Sequence, residues 1–207
     1  MNLNNRFDNS SDNFRMSHMD SEIALRMSDK IMSWFPNQPR EYVILCIGTD
    51  RSTGDALGPL TGSFLQEEKT KHMHVYGTLH HPVHAVNLHE AIEKITTTYR
   101  NPFIIAIDAC LGRNASIGHI ITENGPLKPG SALNKALPSI GDVNITGVVN
   151  ISGFMEHSIL QNTRLSIVVD MAKQIAEILS IIDDRLVHHF SPSSVISEEQ
   201  HKTKWTV

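Results

Sequence analysis

The chain has 207 residues, of which 40% are hydrophobic, and this is enough for one globular domain with a sizeable core. Its formal net charge is −4, and no basic run is dense enough to follow a phosphate backbone, so nucleic acid is not expected as a partner. Apolar stretches fall short of the roughly 20 residues of a membrane helix, and the polar N-terminus lacks the pattern of a secretory signal. The two cysteines, Cys46 and Cys110, are typical of a reducing compartment. We therefore expect a cytoplasmic protein without a membrane association.

The predicted elements begin after a polar N-terminal segment. Residues 1–20 are rich in Asn, Ser and Asp and predict a disordered arm. Apolar residues at approximately helical spacing then predict a helix over residues 21–35, which Pro36 ends. The apolar run 42–47 predicts the first strand, and a glycine-rich loop leads from it to a helix over residues 56–68.

The middle of the chain continues the alternation of strands and helices. A second strand is predicted over residues 73–78 and a helix over 85–97. The third strand, 103–107, is continuously apolar, as expected for a strand that is buried on both faces. A fourth strand is predicted over 117–122. Because its link to the third strand is too short for a helical crossover, we expect these two strands to pair antiparallel.

The last third of the chain completes an α/β pattern. A long loop with Gly and Pro precedes a fifth strand over residues 143–151. One amphipathic helix is predicted over 158–182, and a polar tail over 188–207. The alternation predicts a single α/β domain over 21–187. We expect a three-layer α/β/α sandwich with a mostly parallel five-stranded sheet and one antiparallel strand.

Two aspartates follow predicted strands. Asp55 lies in the loop after the first strand, and Asp108 directly follows the third strand. The carboxyl ends of parallel strands share one crevice, so both carboxylates are predicted to face one site. A neighbouring like charge would raise the pKa of one carboxyl, and the pair would share a proton. The ionised carboxylate could then activate water while the protonated one polarises a carbonyl, which is the chemistry of peptide hydrolysis without a covalent intermediate.

Each aspartate also has a purely structural interpretation. Asp55 could cap the following helix by accepting its first amide hydrogens, and Asp108 could bind a neighbouring loop amide. The glycines Gly48, Gly54 and Gly58 favour a site, because they permit a sharp turn and the close approach of a ligand. A phosphate is a poor candidate ligand, since the loop lacks the known phosphate-binding glycine patterns and Asp55 would repel it.

Histidines and a cysteine are further candidates for chemistry. Six of the 12 histidines lie between residues 72 and 89, but neither HExxH nor paired CxxC is present. A solvated loop with one or two functional histidines is therefore favoured. A metal-dependent hydrolase that uses His80, His81 or His84 beside the aspartates stays open as an alternative. Cys110 lies at the rim of the predicted site, and since no histidine base is identified for it, a small buried or rim thiol is favoured over a nucleophile.

Several motifs resemble a known family. The segments Gly54-Asp55-Ala56-Leu57-Gly58-Pro59 and Ile107-Asp108-Ala109 resemble the germination protease of spore-forming bacteria. Lys128-Pro129-Gly130-Ser131, together with Asn134, continues this resemblance. More distantly, the loop from Gly48 to Gly58 is similar to that of the hydrogenase maturation endopeptidases. The resemblance covers about residues 40–180 and is closest to the short YyaC-type sporulation proteins that are grouped with germination protease.

The resemblance implies an α/β/α sandwich and an aspartate-dependent endopeptidase whose two essential acids are Asp55 and Asp108. Germination protease degrades the small acid-soluble proteins that coat spore DNA, and the hydrogenase enzymes remove a C-terminal extension from a metal-loaded precursor. We expect no metal and no cofactor. The residues assigned to substrate binding are Gly54, Gly58, Lys128, Gly130, Asn134 and His84.

The chain also departs from these families. Hydrogenase maturation enzymes add a histidine in the loop after the fourth strand, and the corresponding residues 125–138 contain none, so nickel recognition is not expected. The chain is also much shorter than germination protease. The main hypothesis is a sporulation-associated endopeptidase that acts on a protein such as a small acid-soluble spore protein, in the mother cell or forespore. The alternative is a non-catalytic protein- or peptide-binding sporulation factor with the same fold. The sequence leaves open a homo-oligomer and a removable N-terminal propeptide.

Overall fold

The computed structural model describes residues 12–129 and 138–189, which form one mixed sheet covered by helices. Two single turns of 3-10 helix, Gly54–Ala56 and Asn114–Ser116, connect elements. The strands are β1 (Asn13–Ser17), β2 (Tyr42–Cys46), β3 (Met73–Tyr76), β4 (Phe103–Gly112), β5 (His119–Asn124) and β6 (Val143–Ile151). The helices are α1 (Ile23–Met32), α2 (Leu57–Glu68), α3 (Leu88–Thr98), α4 (Glu156–Gln161) and α5 (Leu165–His189).

The six strands of the sheet have the order β1-β5-β6-β4-β2-β3. β2 pairs in parallel with β3 and β4, and β4 pairs in parallel with β6. β5 runs antiparallel to both of its neighbours, β6 and β1. The structure therefore confirms the prediction of a mostly parallel sheet with one antiparallel strand.

The pairing partner predicted for the antiparallel strand was wrong. β5 does not lie beside β4, because β6 is inserted between them. β4 extends to Gly112, five residues beyond its predicted end, and the later strand β6 pairs with it from Ile105 onward. The short link after β4 therefore carries the chain past the position of β6 before β5 begins.

The sheet also has a sixth strand that the sequence did not predict. Residues 1–20 were expected to be disordered, but β1 lies within this segment and pairs with β5 along its whole length. Phe14 and Met16 point to the core face, and Met16 is buried there. The expectation is thus wrong for residues 12–20, and residues 1–11 lie outside the described part of the chain.

Helices cover both faces of the sheet, which confirms the three-layer α/β/α architecture. The alternating side chains of β2 show the two layers. Tyr42, Ile44 and Cys46 join the core formed with α1, α2 and α5. Val43 and Leu45 join the core on the opposite face, which includes Leu88 and Ile95 of α3. Both faces of the central strands are thus removed from water, as the continuous apolar runs indicated.

Helix α2 lies unusually close to the ends of the strands. A Cβ atom added to Gly58 would overlap the backbone carbonyl of Ile47, and one added to Gly62 would overlap the carbonyl of Gly77. Backbone atoms of this kind cannot move aside cheaply, so larger residues do not fit at either position. The two glycines therefore set the distance between α2 and the sheet, and with it the position of the loop that precedes the helix.

The single C-terminal helix predicted over residues 158–182 is in fact two helices, α4 and α5. The break lies at Asn162 and Thr163, whose side chains donate to the backbone carbonyls of Ser158 and Ile159. Such bonds compete with the helical pattern of the backbone. Helix α5 then continues to His189, into the segment predicted as a tail, while residues 190–207 lie outside the described part of the chain. None of the described helices combines the length and apolar character that a membrane span requires.

Candidate active site

A cavity of about 360 Å³ lies at the carboxyl ends of β2 and β4, and both predicted acids line it. Asp55 reaches it from the loop before α2, Asp108 from β4, and His84 from the connection between β3 and α3. The topology therefore brings together three of the residues selected from the sequence. The other residues that line the cavity are Ile47, Gly48, Thr49, Arg51, Ala85, Val86, Ala109, Cys110, Leu111, Pro129, Glu156, His157 and Leu160.

The loop from Gly48 onward holds Asp55 in place through its backbone. The N–H of Gly48 donates to the carbonyl of Val83, and the N–H of Thr49 donates to the carbonyl of Asp55 at 3.1 Å. A Cβ atom on Gly48 would overlap the same Asp55 carbonyl, so only glycine permits this close return of the chain. Helix α2 begins after Ala56, and no side chain caps it. Asp55 is therefore not the helix cap that the structural interpretation suggested.

Burial shapes the acidity of Asp55. The side chain is half-buried, and removal from water raises the pKa of its carboxyl above the ordinary value. Two neighbours act in the opposite direction and lower this pKa, the hydroxyl of Ser52 and the charge of His157. The sequence had suggested that a second carboxylate would raise the pKa of Asp55. In the structure, the main cause of the raised pKa is burial.

Asp108 lies just beyond the end of β2. The pairing of β2 with β4 ends at Ile107, whereas β6 continues beside β4 and places Thr146 opposite Asp108. One carboxylate oxygen of Asp108 accepts a hydrogen bond from the N–H of Ala109 at 2.8 Å. The donor is the next residue of β4 and not a loop amide as the structural interpretation suggested, and the bond orients the carboxylate within the cavity wall.

Cys110 lines the cavity but is not activated. The pKa of its thiol is raised to about 11, mainly by burial; the Thr146 hydroxyl lowers this pKa, and the charges of Asp108 and Glu123 raise it by smaller amounts. A thiol with this pKa is protonated at neutral pH and is a weak nucleophile. The structure thus supports the interpretation of Cys110 as a rim thiol.

His84 is positioned by the start of the segment that leads to α3. Its backbone N–H donates to the side-chain oxygen of Asn87 at 2.8 Å. The backbone N–H of Val86 donates to its ring Nδ1 at 3.3 Å. Since Nδ1 accepts a hydrogen bond, the neutral ring carries its hydrogen on Nε2. His84 therefore supplies a hydrogen-bond donor at the cavity wall.

His157 is a cavity residue that the sequence analysis missed. It lies in the first turn of α4, where a loop had been predicted, and its ring Nε2 lies 3.2 Å from the side-chain nitrogen of Gln161. The signal that could have identified it is its position shortly after β6, because sites of α/β proteins gather residues that follow the carboxyl ends of strands. Among the described residues, no group of three His, Cys, Asp or Glu side chains is arranged to hold a metal ion.

The remaining predicted residues have different positions. Gly54 is buried against Leu160, and Gly58 packs on Ile47, the residue after β2, so the two glycines shape the loop from behind the cavity. Lys128 is exposed, although the next residue, Pro129, lines the cavity. The remaining two residues assigned to substrate binding, Gly130 and Asn134, lie outside the described part of the chain.

The fold and the cavity together define an α/β/α sandwich protein whose cavity, at the carboxyl ends of the central strands, is lined by three carboxylates and two histidines. Among solved structures, it is similar to the [NiFe] hydrogenase maturation protease HycI from Thermococcus kodakarensis KOD1. The TM-score is 0.50 and the sequence identity 19%, with 70% of this chain and 93% of that chain covered. This similarity shows a shared fold.

Sequence comparison identifies the family. The family model described as "Protein of unknown function (DUF1256)" matches residues 15–178, and the chain belongs to this family. The chain is also 49% identical over 169 residues to the uncharacterized protein YyaC of Bacillus subtilis (strain 168), which covers 81% of this chain and 82% of that protein. The resemblance to YyaC-type proteins is thereby confirmed.

Proposed function

We propose that this protein is an endopeptidase that hydrolyses a peptide bond of a specific protein substrate with Asp55 and Asp108. The observation that carries the proposal is the convergence of both carboxylates on one cavity at the carboxyl ends of β2 and β4. A fold shared with a hydrogenase maturation protease supports a hydrolase, and the acids supply the chemistry that this reaction requires.

The two acids have different roles in this proposal. Burial favours the protonated form of Asp55, which suits it to donate a hydrogen bond to the carbonyl oxygen of the scissile peptide. Asp108 accepts a proton from a water molecule as the water oxygen attacks the carbonyl carbon. The proton then passes to the amide nitrogen as the carbon–nitrogen bond breaks. His84, with its hydrogen on Nε2, can add a second donor to the developing oxyanion.

A non-catalytic function in peptide binding is the second candidate. The residues directly before the cavity-lining turn of α4 are apolar and exposed. Phe154 is 99% and Met155 76% exposed, and Val86 on another part of the cavity wall is 86% exposed. Exposed apolar side chains around a cavity are typical of a surface that binds another protein. This observation fits a binding protein as well as a peptidase.

The biological setting belongs to the same proposal. The resemblance to germination protease suggests small acid-soluble spore proteins as substrates and the cytoplasm of the mother cell or forespore as the place of action. These substrates are also practical, because the two hypotheses predict different outcomes with them. A peptidase cleaves them at discrete sites, whereas a binding protein retains them intact.

The test is the digestion of purified small acid-soluble spore proteins between about pH 4 and pH 8, with cleavage sites identified by mass spectrometry. We expect discrete cleavage by the wild type and by the control variant Asp184→Asn, whose carboxylate is exposed on α5. Asp55→Asn and Asp108→Asn should each lower the rate at least about 10²-fold, since each removes a group that transfers or holds a proton. Unchanged cleavage by either variant would contradict the mechanism. Intact, bound substrate would favour the binding protein.

A further inference from the structure

Two further cavities lie in sequence beside the candidate active site. A cavity of about 410 Å³ shares His84 with the active-site cavity. A third cavity of about 440 Å³ shares Tyr76 and Lys94 with the second. The second and third cavities are thus adjacent, and we call the surface that they form together the edge groove; His84 lies between this groove and the cavity that holds Asp55 and Asp108.

The edge groove follows the last strand of the sheet. Within the described part of the chain, β3 pairs on one side only, with β2. The outer part of the groove is lined by β3, by Gln66 of α2, and by Lys94 of α3. Since α2 and α3 lie on opposite faces of the sheet, a cavity that both helices line must lie over its edge. β3 therefore borders the groove along the side on which no described strand pairs with it, although the Met73 carbonyl already accepts a hydrogen bond from the Thr70 hydroxyl at 2.8 Å. An unpaired strand edge is a ready template for another strand.

The groove is basic although the whole chain is acidic. Its titratable lining residues, apart from two tyrosines, are Lys69, Lys94, His74, His80, His81 and His84, against the acidic residue Glu90. With histidine counted as neutral, the formal net charge of the chain is −4, whereas the two lysines and one glutamate of the groove give it a formal charge of +1, so this surface differs in sign from the molecule as a whole. A basic channel of this kind attracts an acidic ligand and opposes a basic one.

Aromatic contacts organise the side of the groove next to α3. The ring of His74 stacks on Tyr99 with the ring centres 4.5 Å apart, and the hydroxyls of Tyr76 and Tyr99 lie 3.3 Å from each other. The ammonium of Lys94 lies 5.9 Å from the centre of the Tyr76 ring. These contacts hold the basic side chain over β3 before any ligand binds, and preorganisation of this kind lowers the cost of binding.

We infer that an extended, acidic segment of a protein substrate pairs with β3 as an added strand, and that the chain then passes His84 to reach Asp55 and Asp108. The end point of this path rests on the proposed function. The strand pairing and the preference for acidic segments rest on the edge groove alone. The inference therefore assigns a substrate class to the site, an acidic segment that is extended in the bound state.

The test measures the binding of a fluorescein-labelled peptide of alternating Glu and Val to the full chain by fluorescence anisotropy. We expect binding that falls about two- to fivefold in each of Lys69→Gln and Lys94→Gln, as is typical of one exposed charge pair. Lys173→Gln, which removes an exposed charge on α5, is the matched control and should bind as the wild type does. A peptide of alternating Lys and Val should not bind.

A second peptide tests the strand pairing itself. N-methylation of two consecutive central residues blocks both edges of the peptide, since successive amides of a strand point to opposite sides, and should weaken binding at least about tenfold. The same modification at the terminal residue should have little effect. The inference would be overturned if the centrally methylated peptide bound as tightly as the unmodified one, or if neither lysine variant weakened binding. It would also be overturned if the unmodified acidic peptide did not bind. Short single-stranded DNA is a further competitor. If it displaces the peptide, and if both lysine variants weaken this displacement, the ligand is a nucleic acid and the inference is overturned. Asp55→Asn and Asp108→Asn should retain binding of the peptide. The binding test of the edge groove is therefore independent of the test of the proposed peptidase.

Discussion

At the scale of single residues, the most informative group is the carboxyl of Asp55. The loop from Gly48 holds it in a half-buried position, and burial raises its pKa above the ordinary value of 3.8. The folded state therefore holds a proton on Asp55 at pH values where the unfolded chain has lost it. The resulting stabilisation is fully present below about 3.8 and disappears as the pH rises through the raised pKa.

The upward shift of the Asp55 pKa leads to a prediction for the stability of Asp55→Asn. The variant cannot ionise, so at pH 7 it avoids the cost of a buried charge and should have a higher melting temperature than the wild type. The difference should become small below about pH 3.8, where Asp55 is protonated in both states. Thermal unfolding as a function of pH measures this, with Asp184→Asn as the exposed control. A lower melting temperature of Asp55→Asn at pH 7 would show that the attraction to His157 outweighs the cost of burial.

At the scale of elements, α2 connects the candidate active site to the edge groove. Gly58 holds the first turn of α2 against Ile47, the residue after β2, and Lys69 ends the helix in a left-handed conformation with φ of 59°. The N–H of Lys69 donates to the carbonyl of Leu65 and satisfies the end of the helix. Glycine is the usual residue at this position, because a Cβ atom makes the left-handed conformation costly.

Lys69→Gly should therefore stabilise the protein by about 1 kcal/mol, as the strain of a left-handed residue is relieved. Lys69→Ala is the matched control, since it removes the same ammonium but keeps the Cβ atom, and it should give no comparable gain. Urea unfolding measures both. Equal stabilities of the two variants would show that the conformation of Lys69 is not strained. Both variants should weaken the binding of acidic peptides to the edge groove.

At the scale of the whole molecule, α5 supports the edge strand from a distant part of the chain. The buried carboxylate of Asp183 accepts hydrogen bonds from the backbone N–H groups of Lys71 at 2.7 Å and His72 at 2.8 Å. These two residues directly precede β3. A single side chain of the C-terminal helix thus holds the start of the strand that lines the edge groove.

Asp183→Ala should lower the free energy of unfolding by about 3 kcal/mol, because it removes two hydrogen bonds to a charged acceptor and leaves two backbone donors without it. The neighbouring Asp184→Ala is the control. Asp184 is exposed and pairs with the ammonium of Lys71 at 2.9 Å, so its loss should cost much less than the loss of Asp183, because solvent screens an exposed pair. Urea unfolding distinguishes the two. Similar losses in both variants would contradict the role assigned to Asp183.

Much of the fold could be predicted because it follows from the pattern of apolar residues within short segments of the sequence. The apolar runs of β2 and β4 show strands that are buried on both faces, and the helical spacing before and after them is equally local. The shared location of Asp55 and Asp108 followed from one topological rule about the ends of parallel strands. Short segments carried too little pattern, so β1 was missed and the break at Thr163 was not seen.

Hydrophobic periodicity and strand direction can be read along the chain, so they were sufficient to predict the layered α/β architecture and the convergence of two carboxylates. The partner of β5, the source of the raised pKa of Asp55, and the position of His157 beside Asp55 followed only from the folded structure. The edge groove likewise became visible only in three dimensions. Strand order, burial and cavity walls depend on residues that are far apart in the chain, and no local pattern reports which of those residues meet.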